Sequence, residues 1–306
     1  MKKNKPQVIV ILGQTSTGKS DLAVKIAKKI NGEIISADSR QVYKGLDLGS
    51  GKITKKEMKG VLHHLLDIAN PKSKFDVTQY KKLADKAIEK IISEKKVPII
   101  CGGTGFYIDA ITKGAVFPEV PPNQKLRTLL NKKSIEKLYG MLKKIDPRRA
   151  KSIDKKNKVR IIRSIEIAKA LGKVPPLKLE KNKYQFIKIG LLLPQDILKE
   201  KIEKRLLKRI KMGMINEAKN LHQKGVSFKR MEELGLEYRQ MAFYLQNKIN
   251  KNEMIENLKK EIYHFAKRQM TCFKRDKEII WIDVSDTNSK SDRIYYKLGI
   301  IDTINK

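Results

Sequence analysis

Eight residues near the amino terminus constrain the fold of this chain more than any other feature. Residues 13–20 read GQTSTGKS and match the phosphate-binding pattern GxxxxGK[ST]. They follow the apolar run 8–12, which is typical of a buried parallel strand, and they precede a run with helical spacing. A loop in this position directs backbone N–H groups at phosphate oxygens, helped by the dipole of the following helix. A glycine-rich turn without a ligand is the alternative, which the flanking strand and helix disfavour.

The rest of the chain alternates short apolar strands with helical patterns. Further strands are predicted to begin at residue 33 and to cover residues 97–101 and 186–193, and helices to cover residues 78–96, 195 to about 225, and 251 to about 275. Strands that alternate with helices predict an α/β fold with a doubly wound parallel sheet.

A strongly basic segment interrupts this pattern. The chain carries 68 basic and 33 acidic residues, a net charge of +35, and residues 121–185 alone hold 20 basic and five acidic side chains. Lysine enrichment from an AT-rich genome would raise the average charge without concentrating it. The excess favours a polyanionic partner such as polyphosphate or RNA. We therefore predict a catalytic core of residues 1–114 and 186–306, with a basic helical domain inserted at 115–185.

Cysteine usage and hydropathy indicate the compartment. Cys101 and Cys272 lie far apart without a CxxC spacing, which excludes a zinc ribbon and argues against a disulfide framework. The apolar run 8–12 is shorter than the ~7–15 residues of a signal-peptide core, and no stretch approaches the ~20 apolar residues of a membrane span. We expect a cytoplasmic protein that is not in a membrane.

Two further segments follow predicted strands and carry polar groups. Asp38, in SADSRQ, would lie at the carboxyl end of a parallel strand, where open α/β sheets bind ligands. Its carboxylate could bind Mg²⁺, act as a general base or cap a helix, and spacing alone does not separate these roles. Thr104, in GGTGFY, could bond a phosphate or base edge, or simply belong to a tight turn. The adjacent His63 and His64 give little support for a metal site.

Seven segments in order make a family resemblance specific. They are GQTSTGKS, ISADSRQVYKGLDLGSGK, HHLLDI, PIICGGTGFYIDA, VRIIRSIEIAKALGK, GLEYRQ and FAKRQMTCFKR, and they extend from the first strand to about Asp283. This arrangement resembles the tRNA dimethylallyltransferases. The resemblance implies transfer of a dimethylallyl group from dimethylallyl diphosphate to N6 of adenosine 37, beside the anticodon. It also implies use of Mg²⁺ and recognition of the tRNA anticodon stem-loop, and we expect the protein to be a monomer.

The resemblance assigns catalytic and donor-binding roles to residues of this chain. Asp38 matches the general base at the adenine amine, and Thr104 matches a hydroxyl at the reaction channel. Ser20 would hold the metal ion. The loop would bind the donor diphosphate instead of a nucleotide. The diphosphate-binding residues implied in this way are Gly13, Gln14, Thr15, Ser16, Thr17, Gly18, Lys19, Ser20 and Arg205.

The resemblance also implies which residues contact tRNA. The basic insertion looks like the helical domain that grips the anticodon stem, which would account for its local charge. The tRNA-contacting residues implied are Asp38, Ser39, Arg40, Gln41, Thr104, Arg127, Val159, Arg160, Ile161, Ile162, Arg163, Gly235, Tyr238, Arg239, Gln240, Lys267, Arg268 and Gln269.

The chain departs from the family pattern at several positions. Gln14 stands where the family usually has proline, and Cys272 replaces a common tryptophan, which puts a stacking role there in doubt. GSGK at 49–52 replaces GTAK, and GLEYRQ is a variant of GYRQ. No charged catalytic group is lost.

Three other functions share some of these features. A nucleotide or metabolite kinase would use the same loop and turn over ATP. An adenylate isopentenyltransferase would modify free nucleotide. A basic RNA-binding protein without catalysis would not need Lys19, Asp38 and Arg205 together. A turnover assay separates all three from the main interpretation.

Overall fold

The computed structural model describes residues 5–285, in which strands and helices alternate from the amino terminus. The first elements are β1 (Gln7–Gly13), α1 (Lys19–Lys29), β2 (Gly32–Ser36), α2 (Lys55–Met58), β3 (His63–His64), α3 (Val77–Ser93), β4 (Val97–Gly102) and α4 (Gly105–Thr112). The middle elements are β5 (Ala115–Val116), α5 (Gln124–Asn131), α6 (Ile135–Ile145), α7 (Pro147–Ser152), α8 (Lys158–Leu171) and β6 (Lys178–Leu179). The last are β7 (Gln185–Leu192), α9 (Gln195–Lys211), α10 (Met214–Gln223), α11 (Phe228–Leu234), α12 (Leu236–Leu245), α13 (Lys251–Phe273) and β8 (Ile280–Asp283).

Within residues 5–285, six strands form one sheet in the order β3-β2-β4-β1-β7-β8, and every neighbouring pair is parallel. The predicted α/β fold with a parallel central sheet is therefore confirmed. Sequence patterns predicted the four inner strands because strands that are buried on both faces are rich in apolar residues. The edge strands β3 and β8 escaped prediction, since they are short and carry polar or half-exposed side chains.

The sheet packs between helices through apolar side chains. Residues 8–12 of β1 are at most 4% exposed, and α1 buries the side chains of Ala23, Val24, Ile26 and Ala27. Helix α3 begins at a capping box between Asp76 and Gln79 and buries Tyr80, which stacks on Tyr107 of α4. This stack packs α3 against α4.

The helix predicted from Gln195 to about Gly225 is two helices. Gly213 lies between α9 and α10 with φ of 100°, a left-handed conformation that ends one helix and begins the next. The prediction missed this break because the apolar periodicity continues on both sides of it. The helix expected from Lys251 is α13, which buries Met254 and Phe273 and leaves Lys260, Lys267 and Lys274 exposed.

The chain divides into two compact units. Within the described residues, one comprises 5–113 and 181–285, and the other comprises Gly114–Glu180. The second unit contains α5 to α8 and a small antiparallel pair, β5 with β6. Its core includes Leu138 and Leu142 of α6 and Ile161 and Ile165 of α8. None of the helices described between residues 5 and 285 has the length and apolar character needed to cross a membrane.

Glu166 organises the polar side of the second unit. Its carboxylate is 2% exposed and accepts hydrogen bonds from Arg127 Nη2 at 2.7 Å, from the Asn123 backbone N–H at 2.6 Å and from Arg163. Burial by itself would raise the pKa of Glu166, but the bonds from Arg127, Asn123 and Arg163 outweigh it and hold the pKa below its ordinary value. The carboxylate stays ionised and joins α5 to α8.

Replacing this carboxylate should loosen the second unit. Glu166→Gln removes the charge that pairs two arginines, so we expect the free energy of unfolding to fall by about 2 kcal/mol. Because the folded pKa is depressed, the contribution is present above the unfolded value of about 4.3 and is lost as pH falls through the folded pKa. Hydrogen exchange of the full chain should show faster exchange in peptides from 114–180. Unchanged exchange there at neutral pH would contradict this role.

Candidate active site

A cavity of about 470 Å³ lies where the loops after β1, β2 and β4 meet α9 and α13. Parallel strands end at the same edge of a sheet, so the three predicted loops converge there. Lys19, Asp38, Thr104 and Arg205 all line the cavity. The phosphate-binding loop and the candidate base therefore face one shared space.

The loop at residues 13–20 follows β1 and leads into α1. Gly13 has φ of 145°, and a Cβ there would lie 2.7 Å from the Leu191 carbonyl oxygen, so only glycine fits. Thr15, Ser16, Gly18, Lys19 and Ser20 line the cavity, whereas Gln14 and Thr17 are buried. The Lys19 ammonium donates to the Gln14 carbonyl oxygen.

Gln14 and Gln269 tether this loop to α13. Gln14 Nε2 donates to the Ala266 carbonyl at 3.1 Å, a bond that the proline usual at this position could not make. Gln269 accepts from the Thr15 N–H at 2.8 Å and donates to the Gly103 carbonyl at 2.8 Å. Gln269 is 6% exposed, so its side chain joins two loops of the cavity wall; the tRNA contact assigned to it stays a prediction.

Asp38 caps a turn. Its Oδ1 accepts from the backbone N–H groups of Arg40 at 2.8 Å and Gln41 at 3.3 Å, and in the described part of the chain no helix begins between Asp38 and Lys55, the first residue of α2. The alternative of a helix N-cap is therefore wrong for Asp38. Thr104 Oγ1 accepts from the Ser39 N–H at 3.0 Å, which fixes the 38–41 turn against the loop after β4.

Two arginines on α9, Arg205 and Arg209, also line the cavity. Arg205 Nη2 donates to the Gly51 carbonyl at 2.9 Å. Burial lowers the pKa of Arg205, and the neighbouring Arg209 lowers it further. Arg209 was not predicted from sequence, although it lies four residues after Arg205 and hence on the same helix face. It donates to the Leu48 and Gly49 carbonyls at 3.1 and 3.0 Å and pairs with Glu237 at 3.0 Å.

The other residues assigned to tRNA in the larger unit divide by exposure. Arg239, Lys267 and Arg268 are exposed. Tyr238 and Gln240 are 1% and 5% exposed and donate to Glu217 and Glu261, so their side chains are occupied within the protein.

Gly235, Arg40 and Gln41, which are also assigned to tRNA, lie outside the helices and strands of this unit. Gly235 ends α11 with φ of 75°. The Arg40 guanidinium donates to the Leu234 carbonyl, and Gln41 Nε2 donates to the Gly51 carbonyl at 3.4 Å.

The residues assigned to tRNA in the second unit also differ in whether their side chains are free to contact RNA. Ile161 and Ile162 are 0% and 5% exposed and pack in its core, so their side chains offer no surface to RNA. Arg127 and Arg163 are engaged by Glu166. Val159 is 77% exposed and Arg160 is exposed, which leaves both open to a partner.

Lys19 has an unusual proton affinity. Desolvation within the cavity wall lowers its pKa to about 8; the neighbouring Arg205 also lowers it, whereas Cys101 and Asp38 partly oppose the shift. An anion bound in the cavity would favour the protonated ammonium. The cavity can therefore concentrate positive charge on a phosphate group when one is present.

Comparison with known proteins identifies the family. The sequence model of the family described as IPP transferase matches residues 41–276. The chain belongs to this family. The tRNA dimethylallyltransferase of Halothermothrix orenii is 39% identical over 95% of this chain and 91% of that protein. The tRNA dimethylallyltransferase 2 of Treponema denticola is 43% identical over 89% of this chain and 93% of its own.

Solved structures give the same result. The tRNA isopentenylpyrophosphate transferase of Bacillus halodurans superposes with a TM-score of 0.73 at 33% identity, covering 96% of each chain. A eukaryotic dimethylallyltransferase acting on tRNA superposes with a TM-score of 0.83 at 25% identity, covering 98% of this chain and 81% of that one. The predicted family, and with it the prediction of a prenyl-transferring enzyme, is confirmed.

The Lys19 pKa predicts how anion binding depends on pH. Since the ammonium must be protonated to hold an anion, the affinity for inorganic diphosphate should fall as pH rises through about 8. Lys19→Arg keeps a positive charge at higher pH and should move this decline upwards. Isothermal titration calorimetry of both proteins at each pH from about 7 to about 9 measures the two affinities. At any one pH the diphosphate has the same ionisation state in both titrations, so a difference between them comes from the protein. Identical declines in both would show that Lys19 does not control binding.

Proposed function

We propose that the protein transfers a dimethylallyl group from dimethylallyl diphosphate to N6 of adenosine 37 in tRNA, releasing diphosphate. One observation carries the proposal: Lys19 and Asp38 line the same cavity, so a donor phosphate and a candidate base share one space. The family supplies the reaction class. We also propose that the enzyme acts in the cytoplasm as a monomer.

The donor diphosphate binds against the 13–20 loop. Backbone N–H groups, Lys19, Arg205 and Arg209 surround the phosphates and neutralise the charge that grows as the C–O bond breaks. Mg²⁺ fits this site, because the Ser20 hydroxyl and the Asp21 carboxylate line the cavity and Mg²⁺ prefers oxygen ligands shared with substrate phosphates. When bound, the ion would make diphosphate a better leaving group.

Asp38 acts on the nucleobase. An exocyclic adenine amine is a weak nucleophile, since its lone pair is delocalised into the ring. The Asp38 carboxylate accepts a proton from N6 as the N6–C1 bond forms. Its Oδ1 is held by the Arg40 and Gln41 N–H groups, which orients the carboxylate toward the cavity it lines.

The target base must leave the anticodon-loop stack to reach a donor inside the cavity. Extruding a base costs roughly a few kcal/mol, which contacts to the flanking RNA offset. The exposed cations Arg239, Lys267 and Arg268 in the larger unit, and Arg160 in the second, are suited to contact the phosphates of the anticodon stem-loop.

Removing the carboxylate of Asp38 tests the mechanism. Asp38→Asn keeps the size of the side chain but cannot take the proton, so kcat should fall by about 10²–10⁴. The assay combines purified protein, unmodified tRNA, Mg²⁺ and dimethylallyl diphosphate, with mass spectrometry of the nucleosides. tRNA affinity should stay within about twofold of the parent, because a general base adds little to ground-state binding.

Asp85→Asn is the matched control, since Asp85 pairs with Lys81 on α3 and does not line the cavity. Its activity should equal that of the parent. Equal losses of turnover and of tRNA affinity in Asp38→Asn would instead make Asp38 a structural residue. Label transferred from ATP to an acceptor would favour a kinase.

Arg160 tests the RNA surface of the second unit. If Arg160 contacts one phosphate, Arg160→Gln should weaken tRNA binding and reduce the slope of log K against log salt by about 0.7. Lys169→Gln is the control, because Lys169 is exposed on α8 about half a turn round the helix from Arg160. Filter binding at several salt concentrations measures both variants. Equal slopes for Arg160→Gln and the parent would show that Arg160 does not contact a tRNA phosphate.

A further inference from the structure

Glu217, in the first turn of α10, lies outside the cavity and yet bonds to the loop that holds the cavity arginines. It accepts hydrogen bonds from three successive backbone N–H groups: Asp47 at 3.0 Å, Leu48 at 2.6 Å and Gly49 at 3.0 Å. Successive N–H groups that converge in this way form an anion-binding concavity. Here the anion is supplied by the protein itself.

A buried tyrosine donates a fourth hydrogen bond to the same carboxylate. Tyr238 Oη donates to Glu217 Oε1 at 2.8 Å, and burial, followed by the Glu217 charge, raises the pKa of Tyr238 well above its usual range. The phenol therefore stays protonated and keeps donating. Its ring packs so closely on Gly49 that a Cβ there would lie 2.5 Å from Cζ. Both carboxylate oxygens of Glu217 therefore accept hydrogen bonds. The three bonds from backbone N–H groups hold the loop at 47–51 against α10.

The carbonyl groups of this loop accept hydrogen bonds from the two cavity arginines. Leu48 and Gly49 donate their N–H groups to Glu217 and accept from Arg209 through their carbonyl groups, at 3.1 and 3.0 Å. The Gly51 carbonyl accepts from Arg205. The Leu48 carbonyl and the Gly49 N–H belong to one peptide group, and hydrogen bonds at its two ends polarise one another. The Glu217 carboxylate on this N–H therefore strengthens the Leu48 carbonyl as an acceptor for the Arg209 guanidinium.

We infer that Glu217 is a positioning residue for donor binding, acting on Arg205 and Arg209 through the 47–51 loop. The inference rests on the proposed function, in which these arginines hold the donor diphosphate. Glu217 does not line the cavity and touches neither substrate. Its effect on the diphosphate is therefore indirect.

The sign of the expected effect separates positioning from simple electrostatics. Removing a negative charge near an anion site strengthens anion binding by Coulomb's law alone. A positioning role predicts the opposite, because the loop and its arginines lose their fixed geometry. Glu217→Gln should bind inorganic diphosphate about tenfold more weakly, which corresponds to ~1.4 kcal/mol. Tyr238→Phe keeps the carboxylate and three of its four bonds, so we expect about a threefold loss, or ~0.7 kcal/mol.

The control is Glu200→Gln on α9. Glu200 is exposed and forms no ion pair within residues 5–285, so its replacement removes the same charge without touching the loop. Its diphosphate affinity should equal or exceed that of the parent. In steady-state kinetics, Glu217→Gln should raise KM for dimethylallyl diphosphate while leaving the Kd for tRNA unchanged.

Calorimetric titration of inorganic diphosphate into the parent and the three variants, without tRNA, is the experiment. Weaker binding in Glu217→Gln with an unchanged tRNA Kd supports the inference. Equal or tighter binding in Glu217→Gln overturns it while leaving the proposed function intact. If Glu217→Gln does not fold, Tyr238→Phe decides alone, and unchanged affinity in that variant overturns the inference. A parent that does not bind diphosphate overturns the donor site and the inference together.

Discussion

The parallel pairing of β1 with β4, and of β4 with β2, is the constraint on which the rest of the structure depends. Strands that run in the same direction end at the same edge, so loops separated by many residues in sequence share one space. The loop after β1 brings backbone N–H groups, and the loop after β2 brings a carboxylate. The 13–20 loop and the Asp38 carboxylate line one cavity because the strands are parallel.

The loops at this edge are held by polar side chains that reach across the fold. Gln14 and Gln269 fix the first loop to α13, and Thr104 fixes the turn that carries Asp38. Each of these bonds satisfies a backbone group near the cavity, where an unpaired group would cost about 1–3 kcal/mol. Buried polar side chains at this site therefore keep the loops that line the cavity in place.

Local patterns were sufficient to predict the inner sheet and the phosphate-binding loop, because burial of both strand faces and glycine spacing are visible in single segments. Position after predicted strands also pointed to Asp38 and Thr104, and the family resemblance added Arg205. Arg209 and Glu217 were not predicted, since their contacts join segments about 160 to 170 residues apart. The break at Gly213 was also missed, because apolar periodicity does not report a left-handed residue. The net charge of the second unit also overstated how many of its cations are available to RNA, because Arg127 and Arg163 form ion pairs with Glu166.

The close packing of Tyr238 on Gly49 has a consequence for how this chain can evolve. A larger residue at position 49 would collide with the phenol ring, so it is tolerated only alongside a smaller side chain at position 238. The smaller side chain would in turn leave the Glu217 carboxylate without one of its donors. The two positions are therefore expected to vary together among relatives or to stay fixed together, although 189 positions separate them in the sequence.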